Sequence, residues 1–67
     1  KWNIPLSIRE KEVLRWAADG KTVTEISAIL DISVATVKFH TRNAAEKLGT
    51  VNRTAAVARA VAMGLLF

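Results

Sequence analysis

The stretch "TVTEISAILDISVATVKFHTRNAAEKLG", residues 22–49, decides the fold of this chain. Thr22, with a glutamate three residues further on, forms a capping box, which is a signal for the start of a helix. Ser33 is a favoured N-cap residue and provides a second start. We therefore predict one helix over about 23–30 and another over about 34–48, with a tight turn between them.

The same signals recur on either side of this stretch. Ser7, again with a glutamate three residues further on, opens a helix over about 8–18, and Asn52 caps a fourth helix over about 53–64. No segment shows the strict alternation of polar and apolar residues that is typical of a β-strand. The predicted fold class is therefore all-α, with four helices.

Composition limits the kind of protein that this chain can be. It has 67 residues, of which 51% are hydrophobic, and this is enough for one small folded domain. The absence of cysteine excludes disulfides and thiolate metal sites, and no apolar run is long enough to cross a membrane. Residues 1–5 are interpreted as the remnant of a linker, because they show no apolar period before Pro5, and 6–67 as the domain. We expect a cytoplasmic module of a longer protein.

Charge is distributed unevenly along the chain. Residues 1–31 hold five basic and five acidic groups, which cancel, whereas residues 32–67 hold five basic groups against Glu46 alone. The whole net charge of +4 therefore lies in the second part. This asymmetry indicates a surface that faces a polyanion, although a solvated helix face would give the same pattern.

The two central helices have helix-turn-helix spacing, because so short a connection forces them to cross at a steep angle. At about 100° per residue, one arc of the second helix carries the residues expected to face the core, which are Val37, Thr41, Ala44 and Leu48, with Val34 beside them. The opposite arc carries Ala35, Lys38, Phe39, Arg42 and Glu46. A basic face that includes an aromatic ring suits a helix lying in the major groove of DNA.

The motifs "REKEVL", "IS..TVK.H", "KLG" and "NRT" follow one another in this chain as they do in a known family. Over about residues 6–66 the chain resembles the LuxR-type helix-turn-helix DNA-binding domain of bacterial transcription regulators. The patterns "GKT..EIS" and "FH..N" are more similar to the acyl-homoserine-lactone quorum-sensing branch than to the response-regulator branch. The resemblance implies a four-helix domain that binds double-stranded DNA at an inverted-repeat operator as a homodimer, joined to an N-terminal signal-binding domain.

The resemblance also implies roles for individual positions. The expected base-reading residues are Lys38, Phe39 and Arg42. The expected phosphate contacts come from Thr22, Thr24, Ser33, Thr36, Asn43 and Lys47, together with backbone N–H groups at the two capped helix starts. The expected dimer interface is on the last helix, where Ala55, Ala58 and Ala62 form a strip of small residues beside Arg59. The high helix propensity of alanine would explain that strip equally well.

Three further expectations concern packing. In the last helix we expect Val57, Ala60, Val61 and Gly64 to face inward. Asp31 occupies a position where the family often has glycine or asparagine, although aspartate suits the left-handed end of a helix less well than glycine. Ala44 replaces a larger aliphatic residue, and we expect a bulky neighbour such as Trp16 to fill the space.

Two alternatives stay open at this stage. The chain could be a protein-docking helical module, in which Phe39 and the basic residues engage an acidic partner, or it could belong to a two-component response regulator. Phe39 could also pack against an N-terminal domain outside this chain. We expect no enzymatic activity, and no metal site, because His40 lacks a second ligand four residues away. No cofactor is expected in this domain, whereas an N-terminal domain outside it would bind an acyl-homoserine lactone. RNA polymerase is a further candidate partner, and the expected location of the protein is the bacterial nucleoid.

Overall fold

The computed structural model describes residues 4–67, and within them it contains four α-helices and no β-strand. The helices are α1 (Ile8–Ala18), α2 (Val23–Leu30), α3 (Val34–Leu48) and α4 (Arg53–Ala62). The predicted bounds of the first three are confirmed. The predicted end of α4 is wrong by two residues, because the chain turns at Met63 and enters the left-handed region at Gly64, with φ of 69°.

The helix starts have the hydrogen bonds that their sequences predict. The Ser7 hydroxyl accepts from the Glu10 N–H at 3.1 Å, and the Glu10 carboxylate accepts from the Ser7 N–H at 2.9 Å. Thr22 forms the same reciprocal pair with a glutamate at the start of α2. Ser33 and Asn52 cap α3 and α4 through one side-chain oxygen each. These caps satisfy N–H groups that the first turn of a helix leaves without partners.

The buried side chains form two hydrophobic clusters. The larger cluster joins α1, α3 and α4 with both ends of the described chain, and its buried members are Leu6, Leu14, Ala44, Ala45, Leu48, Ala56, Ala60 and Leu66. The smaller cluster joins α1, α2 and α3 through Val13, Ile26 and Val37, each fully buried. Helix α3 contributes to both clusters, so it lies at the centre of the domain.

The expectation about Ala44 and Trp16 is wrong. Ala44 is fully buried in the larger cluster, whereas Trp16 packs, half-buried, against the smaller one. The two side chains therefore belong to different hydrophobic clusters. The larger cluster, to which Leu14, Leu48 and Leu66 belong, surrounds the small side chain of Ala44 instead.

The inward face of α4 also differs from the predicted one. Its buried residues are Ala56 and Ala60, while Val61 is 47% exposed and Gly64 lies beyond the end of the helix. The expected placement of Ala60 is therefore confirmed, as is that of Val57, which packs half-buried against the larger cluster, whereas those of Val61 and Gly64 are wrong. Alanine suits this face because a small side chain lets α4 approach α1 and α3 closely.

The proposed linker falls partly outside the described residues. Residues 1–3 are not described, but Ile4 is half-buried and packs against the larger cluster. Pro5 is exposed, and its backbone follows directly into the buried Leu6, whose N–H donates to the Ile4 carbonyl at 2.9 Å. The backbone from Ile4 onward is thus part of the packed structure.

The turn between α2 and α3 uses a left-handed residue, Asp31, with φ of 56° and ψ of 47°. The N–H of Ile32 donates to the Ser27 carbonyl at 3.0 Å and closes the end of α2. An aspartate in this conformation is strained relative to glycine, and its negative charge lies close to the negative end of the helix dipole. The turn therefore keeps a residue that costs stability.

Replacing Asp31 with glycine should stabilise the domain. We expect Asp31→Gly to raise the free energy of unfolding by about 1 kcal/mol, because it removes both the backbone strain and the unfavourable charge. Chemical denaturation followed by circular dichroism measures this change. The matched control is Asp19→Gly at the end of α1, where φ is −81° and glycine has no such advantage. Equal effects at the two positions would contradict the explanation.

Candidate nucleic-acid interface

The outward side of α3 forms a continuous exposed surface, which we call the reading face. Its members are Ala35, Lys38, Phe39, Arg42 and Glu46, and all five are exposed. The buried residues Val37, Ala44, Ala45 and Leu48 lie on the other side of the same helix. The predicted division of α3 into an inner and an outer face is confirmed, with Ala45 added to the inner face and Val34, which is 36% exposed, at its edge.

Phe39 is 53% exposed at the middle of the reading face. Its ring meets the ring of the half-buried His40 edge to face, with 5.5 Å between centroids and 65° between planes. An edge-to-face contact of this kind is a favourable aromatic geometry. The reading face therefore presents an exposed apolar group beside two cationic side chains.

The cations of the reading face border a surface cavity of about 440 Å³. Lys38 and Arg42 line it together with Arg53, the first residue of α4. The Nη1 atom of Arg53 is buried and makes no hydrogen bond within the described residues. Arg53 belongs to the "NRT" motif but is not among the residues expected to contact DNA, and the structure adds its charge to this side of the domain.

The start of α3 is open to an anion. Its first turn contains no acidic residue, and Ser33 Oγ accepts from the Thr36 N–H at 3.0 Å and lies 2.8 Å from the Thr36 hydroxyl. Both hydroxyls lie at the positive end of the helix dipole. Ser33 and Thr36 are therefore well placed for the phosphate contacts that the sequence predicts.

The start of α2 is different because it already holds a carboxylate. The Thr22 backbone N–H and hydroxyl lower the pKa of Glu25, so this exposed side chain is ionised at neutral pH. Thr22 Oγ1 accepts from the Glu25 N–H, and the Thr22 hydroxyl also interacts with the Glu25 carboxylate. A phosphate at this helix start would bind through donors such as Thr22 and the exposed Thr24, with the charge of Glu25 opposing it.

Lys47 lies away from the reading face. It follows Arg42 by five residues, which corresponds to about 140° of rotation around the helix. Its Nζ atom donates to both carboxylate oxygens of Glu10, at 2.9 and 3.2 Å, and to the Pro5 carbonyl at 3.2 Å. These three acceptors use all three donors of the ammonium group. A phosphate contact by Lys47 remains a prediction, and it would have to compete with these partners.

Glu10 is the buried end of this ion pair, with 4% of its surface exposed. Burial alone would raise the pKa of the Glu10 carboxyl, but the Ser7 N–H and the Lys47 ammonium outweigh burial and lower it below the ordinary value of 4.5. The carboxylate is therefore ionised at neutral pH and stabilises the folded state. A buried glutamate of this kind requires such partners.

The ion pair predicts a pH-dependent contribution to stability. At pH 7 we expect Glu10→Gln to lower the free energy of unfolding by about 1–2 kcal/mol, because a hydrogen-bonded charge is lost while the capping box is kept. Since the pKa of Glu10 is lowered on folding, this difference should persist above about pH 4.5 and shrink as the pH falls below it. Denaturation at a series of pH values measures it.

The control for this prediction is Glu12→Gln on the same helix. Glu12 pairs with Arg9 at 3.2 Å near the surface, so its replacement should change stability by less than about 0.5 kcal/mol at pH 7. A difference between parent and Glu10→Gln that stays constant down to pH 3 would contradict the assigned role of the Glu10 carboxylate.

The residues predicted for a dimer interface lie together along one side of α4. Ala58, Arg59 and Ala62 are exposed, and Ala55 is half-buried. Val61, also exposed, extends this surface. The structure thus leaves a surface of mostly small residues on α4 available to a second molecule.

Asn43, the remaining residue predicted to contact phosphate, is half-buried on α3.

Other kinds of site find no support in the described part of the chain. Within residues 4–67 no group of three histidine, aspartate or glutamate side chains could hold a metal ion. No helix among these residues is long and apolar enough to cross a membrane.

The fold and the reading face define a helix-turn-helix DNA-binding domain. Residues 4–60 match the family model described as "Bacterial regulatory proteins, luxR family". The chain therefore belongs to the LuxR family of bacterial regulatory proteins, as its motifs indicated, and it binds double-stranded DNA. Its relatives are transcription regulators, which agrees with the expectation of no enzymatic activity.

Two curated relatives illustrate the similarity. The HTH-type quorum sensing-dependent transcriptional regulator RpaR of Rhodopseudomonas palustris is 59% identical over 61 residues, which are 91% of this chain and 25% of RpaR. The HTH-type quorum-sensing regulator RhlR of Pseudomonas aeruginosa is 51% identical over 61 residues, with the same 91% and 25% coverage. The chain thus spans about a quarter of the length of these proteins.

Solved structures confirm the fold. Escherichia coli SdiA superposes with a TM-score of 0.91 at 46% identity, covering 97% of this chain and 27% of SdiA. The response regulator ChrA of a heme-sensing two-component system gives a TM-score of 0.87 at 42% identity, with 97% and 32% covered. The transcription factor GerE gives 0.86 at 32% identity, with 92% of both chains covered.

Proposed function

We propose that this domain reads an inverted-repeat operator by placing α3 in the major groove of DNA, with Lys38, Phe39 and Arg42 against the base edges. The observation that carries the proposal is that one side of α3 is exposed and basic while its opposite side is packed in the core. Lysine and arginine can donate to the O6 and N7 atoms of guanine, and a phenyl ring can lie against a thymine methyl group. These three side chains determine which DNA sequence the domain prefers.

The phosphate contacts supply affinity and orientation in this proposal. Ser33 and Thr36 bind one backbone segment at the start of α3, and Thr22 and Thr24 bind another at the start of α2, with Asn43 on the flank of α3. For each phosphate that a cationic side chain neutralises, the logarithm of the affinity falls by about 0.9 per log unit of salt concentration. Uncharged hydroxyl donors add contacts without adding to this dependence, so the slope should report mainly the cations.

The domain binds DNA as a homodimer through the exposed small residues of α4, Ala55, Ala58 and Ala62, with Arg59 beside them. A two-fold axis through this surface places two reading faces on the two halves of an inverted repeat. The strip is too small to hold two free domains together firmly, so DNA contributes to assembly.

We further propose that the domain acts at the nucleoid in the bacterial cytoplasm, with RNA polymerase as a partner.

The signal that controls the whole protein is an acyl-homoserine lactone in this proposal, bound by a domain outside this chain. The names of RpaR and RhlR describe quorum-sensing regulators, and RpaR shares 59% of the aligned residues. A two-component response regulator is the alternative, because ChrA has nearly the same fold at 42% identity. The sequence that precedes Lys1 in the whole protein distinguishes the two by a lactone pocket or a phosphate-accepting aspartate.

The base-reading role of Arg42 is tested by replacing it. Arg42→Ala should weaken binding to the cognate operator by about 1–3 kcal/mol, and it should reduce the preference for one base pair, because its contact is specific to that pair. Fluorescence anisotropy with the operator and with single-base variants measures both effects, after the operator has been obtained by selection from a random duplex pool.

The control is Arg9→Ala, which removes the same charge from α1, away from the reading face. It should change affinity for all duplexes alike and leave the sequence preference intact. Cognate binding by Arg42→Ala that equals that of the parent would refute the assignment of Arg42. A complete lack of duplex binding by the parent at low salt would favour a protein-docking module instead.

The dimer surface is tested with Ala58→Glu, which places like charges against each other across the two-fold axis. We expect its affinity for the full inverted repeat to fall by about fivefold or more relative to the parent, because cooperativity between the two halves is lost. A duplex with a single half-site is the control, because it reports the general effect of the added charge on DNA binding. Equal losses on the two duplexes would exclude Ala58 from the interface.

A further inference from the structure

The ion pair between the buried Glu10 and the partly exposed Lys47 joins the end of α3 to the start of the chain. Glu10 lies in the first turn of α1 and Lys47 in the last turn of α3, 37 residues further along the chain. The same ammonium group donates to the carbonyl of Pro5, in the backbone that enters the domain. One side chain of α3 therefore contacts both the start of α1 and the segment before it.

The surroundings make this arrangement stronger than an ordinary surface pair. The side chain of Glu10 is 5% exposed and that of Lys47 is 37% exposed, so the contact is partly shielded from water. The Glu10 carboxylate also accepts from the Ser7 N–H, which fixes it as part of the helix cap. Ile4 and Leu6, on either side of Pro5, pack against the larger cluster. Polar and apolar contacts thus hold the same short segment.

We propose that Lys47 is a positioning residue that fixes the direction in which the upstream chain enters the domain relative to the reading face of α3. Lys47 acts through Glu10 and the Pro5 carbonyl and does not act through DNA phosphate. Its position, about 140° around α3 from Arg42, agrees with this role. The DNA part of the inference rests on the reading face proposed above, whereas the contact with the entering backbone does not.

The consequence concerns the coupling between this domain and whatever precedes it. A flexible attachment at Pro5 would let the reading face take many orientations relative to the upstream chain. An attachment held by Lys47 limits that freedom, because the entering backbone and the last turn of α3 then move as one unit. In a two-fold dimer, such a restriction limits the spacing of the two reading faces.

The first arm of the test measures the entering backbone directly in the 67-residue chain. In the parent, the backbone N–H groups of Ile4 and Leu6 should have NMR order parameters near about 0.85, as a rigid backbone does. Lys47→Met should lower both toward about 0.6 while the amides of α2 and of the first turns of α3 stay unchanged. Lys47→Arg should restore them, because a guanidinium can reach both acceptors. Unchanged order parameters in Lys47→Met would overturn the proposal.

The second arm measures DNA binding against salt concentration. If Lys47 acts as proposed, Lys47→Met leaves the slope of log affinity against log salt equal to that of the parent. If Lys47 neutralises a phosphate instead, the slope falls by about 0.9, and that result would overturn the proposal. A parent that binds no duplex would refute the proposed reading face, whereas the order parameters of the first arm would still test Lys47.

Glu10→Gln completes the test from the other side of the ion pair. Glutamine keeps the capping box, so the variant should stay folded, which circular dichroism checks. The proposal expects it to loosen Ile4 and Leu6 as Lys47→Met does, without strengthening DNA binding. If Lys47 were a phosphate ligand restrained by Glu10, releasing it should tighten binding to every duplex, and the salt slope should rise; either change would overturn the proposal.

Discussion

The structure depends on the packing of α3 against both hydrophobic clusters at once. Val37 is buried with α1 and α2, and Leu48 is buried with α1 and α4. Because these two residues lie on the same side of one rigid helix, the rotation of α3 about its axis is determined. A rotation that buried Phe39 would expose Val37 or Leu48 to water. The reading face is therefore a direct result of how the core is packed.

Much of the fold could be predicted because its signals are local. The hydroxyls of Ser7, Thr22 and Ser33 act within their own first turns, so a sequence pattern of four residues specifies each helix start. The inner and outer faces of α3 follow from helical periodicity for the same reason. The end of α4 was less predictable, because Leu65 bonds back to the Ala60 carbonyl and stops the helix before the glycine.

The parts of the candidate site that were not predicted depend on contacts between distant residues. A helical wheel shows on which side of α3 Lys47 lies. It cannot show that the carboxylate of Glu10, on α1, accepts hydrogen bonds from the Lys47 ammonium group. The same limit applies to Ala44 and Trp16, whose separate clusters are decided by how α1 crosses α3. The contribution of Arg53 was not predicted, because its place at the cavity that Lys38 and Arg42 also line depends on the path of the loop before α4.

The unequal size of the two clusters has a consequence for α2. Only one of its side chains, Ile26, is fully buried, and one such side chain contributes about 1.5–3 kcal/mol. Helix α2 is thus attached more weakly than α3, which is buried at four positions. The contacts of α2 with α1 and α3 are therefore expected to open at a lower free energy than those that hold α3.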